Sequence, residues 1–300
     1  MPETPQWVYP FGSANDGDWQ VSLGASDSAA RVPGWAHTGI KVAALAPGAS
    51  VSLPAEDEER LVIPLEGAFS VTVEGTKYDL RGRRSVFRGP TDVLYSGIRT
   101  SLTISSEDGG RVAVALAPAS AGYPVRLVRA EETPLELRGS GACSRQVHNF
   151  GTPGTLEADR FIVCEVITPA GNWSSYPPHK HDEEKDGESN LEEIYYFEAQ
   201  TAADAPAPPA TDPIGFARVY ASDERPIDVS AEVRSGDVVL VPYGWHGPAM
   251  AVPGYDLYYL NVMAGPGRVR EWLISDDPHH GWIRQTWDTQ QMDPRLPFTP

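Results

Sequence analysis

Chain punctuation constrains this sequence more than any other feature. Glycine and proline, 28 of each, interrupt the 300 residues so often that long helices have little room. Together they make up roughly one residue in five, against about 12% in average usage. The apolar segments between them are short. Residues 60–64 (RLVIP), 69–73 (FSVTV), 111–116 (RVAVAL), 238–242 (VVLVP) and 255–262 (YDLYYLNV) are rich in Val, Ile, Tyr and Phe. Such runs, bounded by Gly, Pro, Asp or Ser, predict an all-β sandwich or barrel. One short helix is expected, over Arg268–Ile274. Lys and Arg number 24 against 41 Asp and Glu, a net charge of −17, with no basic cluster. That balance argues against nucleic-acid binding and favours solubility. Two cysteines, Cys143 and Cys164, are too few for a disulfide framework and suit a reducing cytosol. The start, MPETPQWVYP, has neither the basic residues nor the apolar run of a signal peptide, and no apolar run is long enough to span a bilayer. A cytoplasmic protein without a membrane partner is expected.

Three landmarks recur in the same order along the chain. APGASVSLP (46–54) parallels TPAGNWSSYPP (168–178); Glu58-Glu59-Arg60-Leu61-Val62-Ile63 parallels Glu192-Glu193-Ile194-Tyr195-Tyr196-Phe197; and Gly82 and Gly236 each open a further strand. Two copies of one β-unit follow, about residues 30–120 and 155–265. Only the second carries histidines in its body. His179 and His181 are spaced i, i+2, which puts both on one face of a strand. His246 follows the turn Pro242-Tyr243-Gly244-Trp245, and Glu193 begins the strand EIYYF. Three imidazoles and a carboxylate suit one divalent ion per chain: Zn, Mn or Fe. Glu192 competes for the carboxylate role, but alternation puts it on the opposite face from Glu193. The same alternation turns Lys180 away from the histidines. The acidic run 182–192 lacks a calcium-loop pattern and reads as a solvated loop.

These spacings resemble the two motifs of the cupin superfamily. Gly236, five residues, then Pro242-Tyr243-Gly244-Trp245-His246 matches the second motif with one residue fewer before the histidine. In the first, Gly171 precedes His179 by eight positions and the loop before Glu193 is long. Four strings, GNWSSYPPHKHD (171–182), LEEIYYF (191–197), GDVVLVPYGWH (236–246) and YDLYYLNVMAGP (255–266), are similar to the 5-deoxyglucuronate isomerases of myo-inositol catabolism. That family is related to the 4-deoxy-threo-hexosulose-uronate ketol-isomerases of pectin breakdown. The resemblance implies a bicupin of two jelly-roll (double-stranded β-helix) barrels. The N-terminal one, residues 1–140, would lack metal ligands; the C-terminal one, 141–300, would carry the metal site. It implies an aldose–ketose isomerisation of 5-deoxy-D-glucuronate to 5-dehydro-2-deoxy-D-gluconate.

Such a reaction needs a proton carrier and a cation for the substrate carboxylate. Tyr258, Tyr176 and His148 are candidates for the first, although Tyr258 also fits a core aromatic. Arg145 and Arg218 are candidates for the second. The bare ligand set also fits a non-haem iron dioxygenase or a sugar-binding bicupin with a structural metal. Exposed sheet edges leave room for a homodimer.

Overall fold

The computed structural model describes residues 7–25, 32–222 and 225–299. The short apolar runs are strands. Residues 60–64 and 69–73 fall in one long strand, Glu58–Val73, and the others lie in Gly110–Pro118, Val238–Val241 and Tyr255–Ala264. Helical structure among the described residues is confined to the 3-10 segments Ala130–Glu132, Gly141–Cys143 and Gly281–Thr289. None is long and apolar enough to cross a membrane. The helix expected over Arg268–Ile274 does not form. Instead Arg270 donates to the carbonyls of Gly151, Leu156 and Phe161, and Val269 is exposed, so no apolar stripe exists to fold against.

The strands build two barrels. In the first, Glu58–Val73 runs through both faces: residues 60–62 pair with Val93–Ser96, and residues 69–73 pair with Thr76–Arg83 and Leu102–Ser105. The corner falls at Gly67, whose φ is +89°. A Cβ there would lie 2.6 Å from the Gly109 carbonyl oxygen, so only glycine permits the bend. The second barrel has a seven-stranded sheet containing Arg145–Gly151, Ile162–Thr168, Tyr255–Ala264 and Glu192–Thr201. A six-stranded sheet, containing His179–Lys180, Trp245–Ala251, Gly215–Ser222 and Arg225–Val233, is its other wall. Two details bear on the division at 140/141. Strand Val8–Tyr9 pairs with Val238–Val241 of the second barrel, and Leu135–Arg138 pairs with Arg145–Gly151, so that division cuts a hairpin.

Strand alternation sorts the side chains into three cores. On Tyr255–Ala264, Leu257, Tyr259 and Met263 face into the second barrel, whereas Tyr258, Leu260 and Val262 face the first. A separate cluster, including Val62, Phe69, Val71 and Leu116, fills the first barrel. The core between the barrels, with Leu61, Tyr95, Phe150, Phe161 and Tyr258, welds them together. Each large apolar side chain buried there contributes about 1.5–3 kcal/mol.

Polar groups within this seam are paired. Arg83 of the first barrel grips Glu165 of the second through two hydrogen bonds, 2.6 and 2.7 Å. Two carboxylates latch reciprocally. Glu59 accepts the backbone N–H groups of Asp159, Arg160 and Phe161, and Glu192 accepts those of Ala36 and His37. Glu59 stands opposite Ala117 and Glu192 opposite Ala264 in matching strand pairs. The repeat is therefore real but its register differs from the one read in the sequence. Glu59 matches Glu192, so Arg60 matches Glu193; aligning the two acidic pairs residue for residue slips the copies by one.

Candidate metal centre and its cleft

His179 and His246 stand opposite each other in paired strands, and His181 follows on the same face as His179. The ring centroids of His179 and His181 lie 4.5 and 4.7 Å from that of His246, and one nitrogen from each of the three rings lies within 4.8 Å of the others. Every Nδ1 faces a main-chain carbonyl: Pro177 at 3.3 Å, Leu191 at 3.2 Å and Gly244 at 3.2 Å. A carbonyl only accepts, so each Nδ1 carries a proton, and Nε2 is the nitrogen each ring turns toward Glu193 and a cation. Glu193 Oε2 lies 3.1 Å from Nε2 of both His181 and His246.

The electrostatics suit a cation. Burial alone would raise the Glu193 carboxyl, but the flanking imidazoles hold it below the usual carboxylate range. Burial, reinforced by the neighbouring imidazoles, drives His179 well below the ordinary histidine value and keeps it neutral. Burial also pushes His181 down, but Glu193 overrides it and holds that imidazole above its ordinary value. Nε2 of His246 is buried, with the Glu193 carboxylate 3.1 Å away as its nearby polar neighbour and no well-formed hydrogen bond. Such a poorly satisfied nitrogen is costly unless something positive meets it. Three imidazole nitrogens and one carboxylate oxygen are the donors a borderline divalent ion takes. Glu192 points the other way, into its latch on the first barrel.

His179 and Glu193 open onto a cleft of about 500 Å³. Its floor is the second barrel's inner sheet, with Tyr195, Tyr259 and Asn261; its outer wall is the C-terminal segment, with Trp272, Arg284 and Trp287. Ser175, at the metal end, has a φ of +49° and hydrogen-bonds the Tyr195 hydroxyl at 2.8 Å. A serine in the left-handed region is strained, and such strain gathers at functional sites.

The structure separates the remaining candidates. Arg145 lines the cleft, buried. Arg218 does not; its guanidinium binds Asp228 and the carbonyls of Val219 and Val229. Tyr176 packs edge-on against Trp173 with centroids 5.5 Å apart, and is not among the cleft's lining residues. Tyr258 and His148 face the seam between the barrels and are not among the residues that line the cleft. Tyr258 donates to Glu165 at 2.8 Å, and His148 Nδ1 lies 2.6 Å from the same carboxylate. Strand parity decides this: Tyr259 and Asn261, one step either side of Leu260, face the cleft instead. A signal for them exists, since an inward Glu193 paired with Met263 makes the odd positions of that strand face inward. The acidic run, expected as a solvated loop, forms the hairpin Asp182–Lys185/Glu188–Asn190. Asp182 and Glu188 are buried there around the Lys180 ammonium, each 2.7 Å from Nζ. Lys180 does turn away from the histidines, and its charge fills that acidic cluster.

Comparison with known proteins fits this geometry. The model of the KduI/IolB family matches residues 7–283. The 5-deoxy-glucuronate isomerase of Geobacillus kaustophilus (strain HTA426) is 40% identical over 258 residues, 84% of this chain and 88% of that protein. That of Bacillus subtilis (strain 168) is 39% identical over 246 residues, 81% of this chain and 86% of its own. Among solved structures, an IolB-like protein from Salmonella typhimurium LT2 superposes with a TM-score of 0.81 at 34% identity, covering 93% of this chain and 99% of that one. The oxalate decarboxylase of Lactobacillus farciminis, in its formate complex, superposes with a TM-score of 0.58 at 12% identity, covering 92% of this chain and 90% of that one. That last likeness concerns the fold alone, and with it the expected bicupin architecture stands. The chain belongs to the KduI/IolB family, and it is an isomerase.

Proposed function

We propose that this chain interconverts 5-deoxy-D-glucuronate and 5-dehydro-2-deoxy-D-gluconate, an aldose–ketose isomerisation carried out in the second barrel. His179, His181, Glu193 and His246 would hold one divalent ion. The observation that carries the reading is the convergence of three imidazoles and a carboxylate, two of which, His179 and Glu193, open onto a cleft large enough for a six-carbon acid. When bound, the ion supplies Lewis-acid stabilisation of negative charge on adjacent sugar oxygens.

The reaction moves one proton from C2 to C1 and another from O2 to O1. The chain's own groups serve the second transfer. Burial pushes the Tyr259 hydroxyl up to about 12, so it stays protonated at neutral pH; as a relay it would give its proton to O1 and take the O2 proton in return, ending as it began. Asn261 Nδ2 is buried without a partner and supplies a donor for a sugar hydroxyl. Trp272 and Trp287 line the same cleft and present apolar faces to a bound sugar.

An anaerobic assay with 5-deoxyglucuronate and the metal-loaded protein tests the proposal. It requires ketose product with no oxygen consumed. Strict dependence on oxygen would point to a dioxygenase. Absence of turnover, with the sugar raising the melting temperature, would leave a binding module.

A further inference from the structure

Three arginines are buried among the described residues, and two of them hold carboxylates. Arg60 is bound by Glu58 and Arg83 by Glu165. Arg145 has none. It is 8% exposed, and among the described residues its guanidinium makes one hydrogen bond, from Nη1 to the Cys143 carbonyl at 3.1 Å. Its guanidinium lies over Trp287 with the carbon 5.5 Å from the ring centroid, and Arg284 shares that ring at 5.2 Å. The other guanidinium groups of the cleft are already neutralised: Arg138 by Glu136 at 2.8 Å, and Arg284 by Asp276 at 2.5 and 2.7 Å. Arg145 is therefore a nearly buried guanidinium that no carboxylate hydrogen-bonds among the described residues; Glu136, which acts on it through space, is already held by Arg138. Burial, with Arg138 and Arg284 nearby, lowers its pKa to about 10, which leaves it fully charged at neutral pH.

Keeping a desolvated, unpaired guanidinium is costly, and folding alone gives no reason for it. A ligand anion does. A guanidinium presents parallel N–H groups that match a carboxylate fork to fork, and an aromatic face beneath it fixes the plane. We infer that Arg145, seated on Trp287, is the receptor for the substrate's carboxylate, and that it restricts this cleft to acid sugars rather than neutral ones. The histidine cluster and Arg145 then read two different ends of one open-chain molecule. That the carboxylate belongs to the reacting sugar rests on the isomerase reading; anion binding at Arg145 does not.

The test uses the full chain stripped of metal, so turnover cannot enter. Calorimetry and intrinsic tryptophan fluorescence are followed while D-glucuronate, D-glucose, acetate or inorganic phosphate is added. D-glucuronate should bind and perturb the tryptophan emission, and D-glucose should do neither. Arg145→Met should weaken D-glucuronate at least about tenfold, with Arg145→Lys in between. Under turnover with metal restored, Arg145→Lys should raise KM more than it lowers kcat. Equal binding of glucuronate and glucose by the unaltered protein would overturn the inference, whatever the variants do. So would full glucuronate affinity in a folded Arg145→Met. Acetate or phosphate binding as tightly as glucuronate would reduce the site to a free-anion site and overturn the sugar-acid restriction. Selective glucuronate binding without any isomerisation would instead defeat the isomerase reading and leave the receptor intact.

Discussion

The two barrels share a strand plan and differ in what their inward positions carry, most sharply at one register. In the second, Glu193 faces three imidazoles and a cleft. In the first, the matching residue is Arg60, fully buried, donating to Glu58 at 2.8 Å and to the carbonyls of Pro54 at 2.6 Å and Thr100 at 2.8 Å. One barrel carries a cluster of donor groups that could hold a cation, while the other carries a permanent cation on its own side chain. A guanidinium never loses its charge in a protein, so the first barrel is locked as scaffold. The fold supplies an enclosed interior; the side chain at this register decides whether it hosts chemistry.

That contrast can be broken most sharply at the histidines. His179→Ala or His246→Ala should remove bound metal, by elemental analysis, and reduce isomerisation to background. Circular dichroism and melting temperature should stay near those of the unaltered protein. The matching change in the other barrel should do the reverse. Arg60→Met strips the guanidinium from Glu58 in a dry interior and should lower unfolding stability by about 3–5 kcal/mol in urea titrations. Metal content and turnover should persist where the variant is folded. Loss of metal from folded Arg60→Met would mean that the first barrel shapes the site directly.

The seam between the barrels gives a pH signature. Burial by itself would raise Glu165, but Arg83 and His148 dominate and hold its carboxyl down to about 2. A folded-state pKa below the unfolded one means stability that is present at neutral pH. It begins to fail as the pH drops past the unfolded value near 4.3 and is gone below about 2. Acid titration of the unfolding free energy should therefore slope downward across that window, and Glu165→Gln should flatten the slope. The smallest effect separates neighbours on one strand. Tyr258→Phe removes a hydrogen bond to Glu165 and should cost about 1 kcal/mol with turnover unchanged. Tyr259→Phe should leave stability nearly alone and lower turnover.

Much of this is legible in the sequence because strands follow a strict two-residue period. His179 and His181 have to share a face, Lys180 has to leave it, and Glu192 and Glu193 have to part company. The Pro-Tyr-Gly-Trp turn before His246 marks a strand end where a ligand can be presented. Parity without an anchor fails. Alternation alone leaves Tyr258 as eligible for the cleft as Tyr259 and Asn261, which are the ones that face inward. The acidic pairs invite an alignment one residue out of step, since only the latches on the opposite barrel show that Glu59 corresponds to Glu192. Arg268–Ile274 misleads because its order comes from Arg270 binding distant carbonyls, a long-range contact that no local period records. Arg145 and Arg218 look alike in sequence; Asp228 pairs with Arg218, and only three-dimensional packing shows that no carboxylate among the described residues hydrogen-bonds Arg145.

Anomalous diffraction from crystals of the metal-loaded protein asks whether four side chains, distant in sequence, share one ion. A single peak per chain is expected, in the second barrel, about 2.0–2.2 Å from Nε2 of His179, His181 and His246 and from a Glu193 oxygen. A peak beside Arg60, one among Asp182 and Glu188, or none at all in a protein that still isomerises its substrate would contradict it.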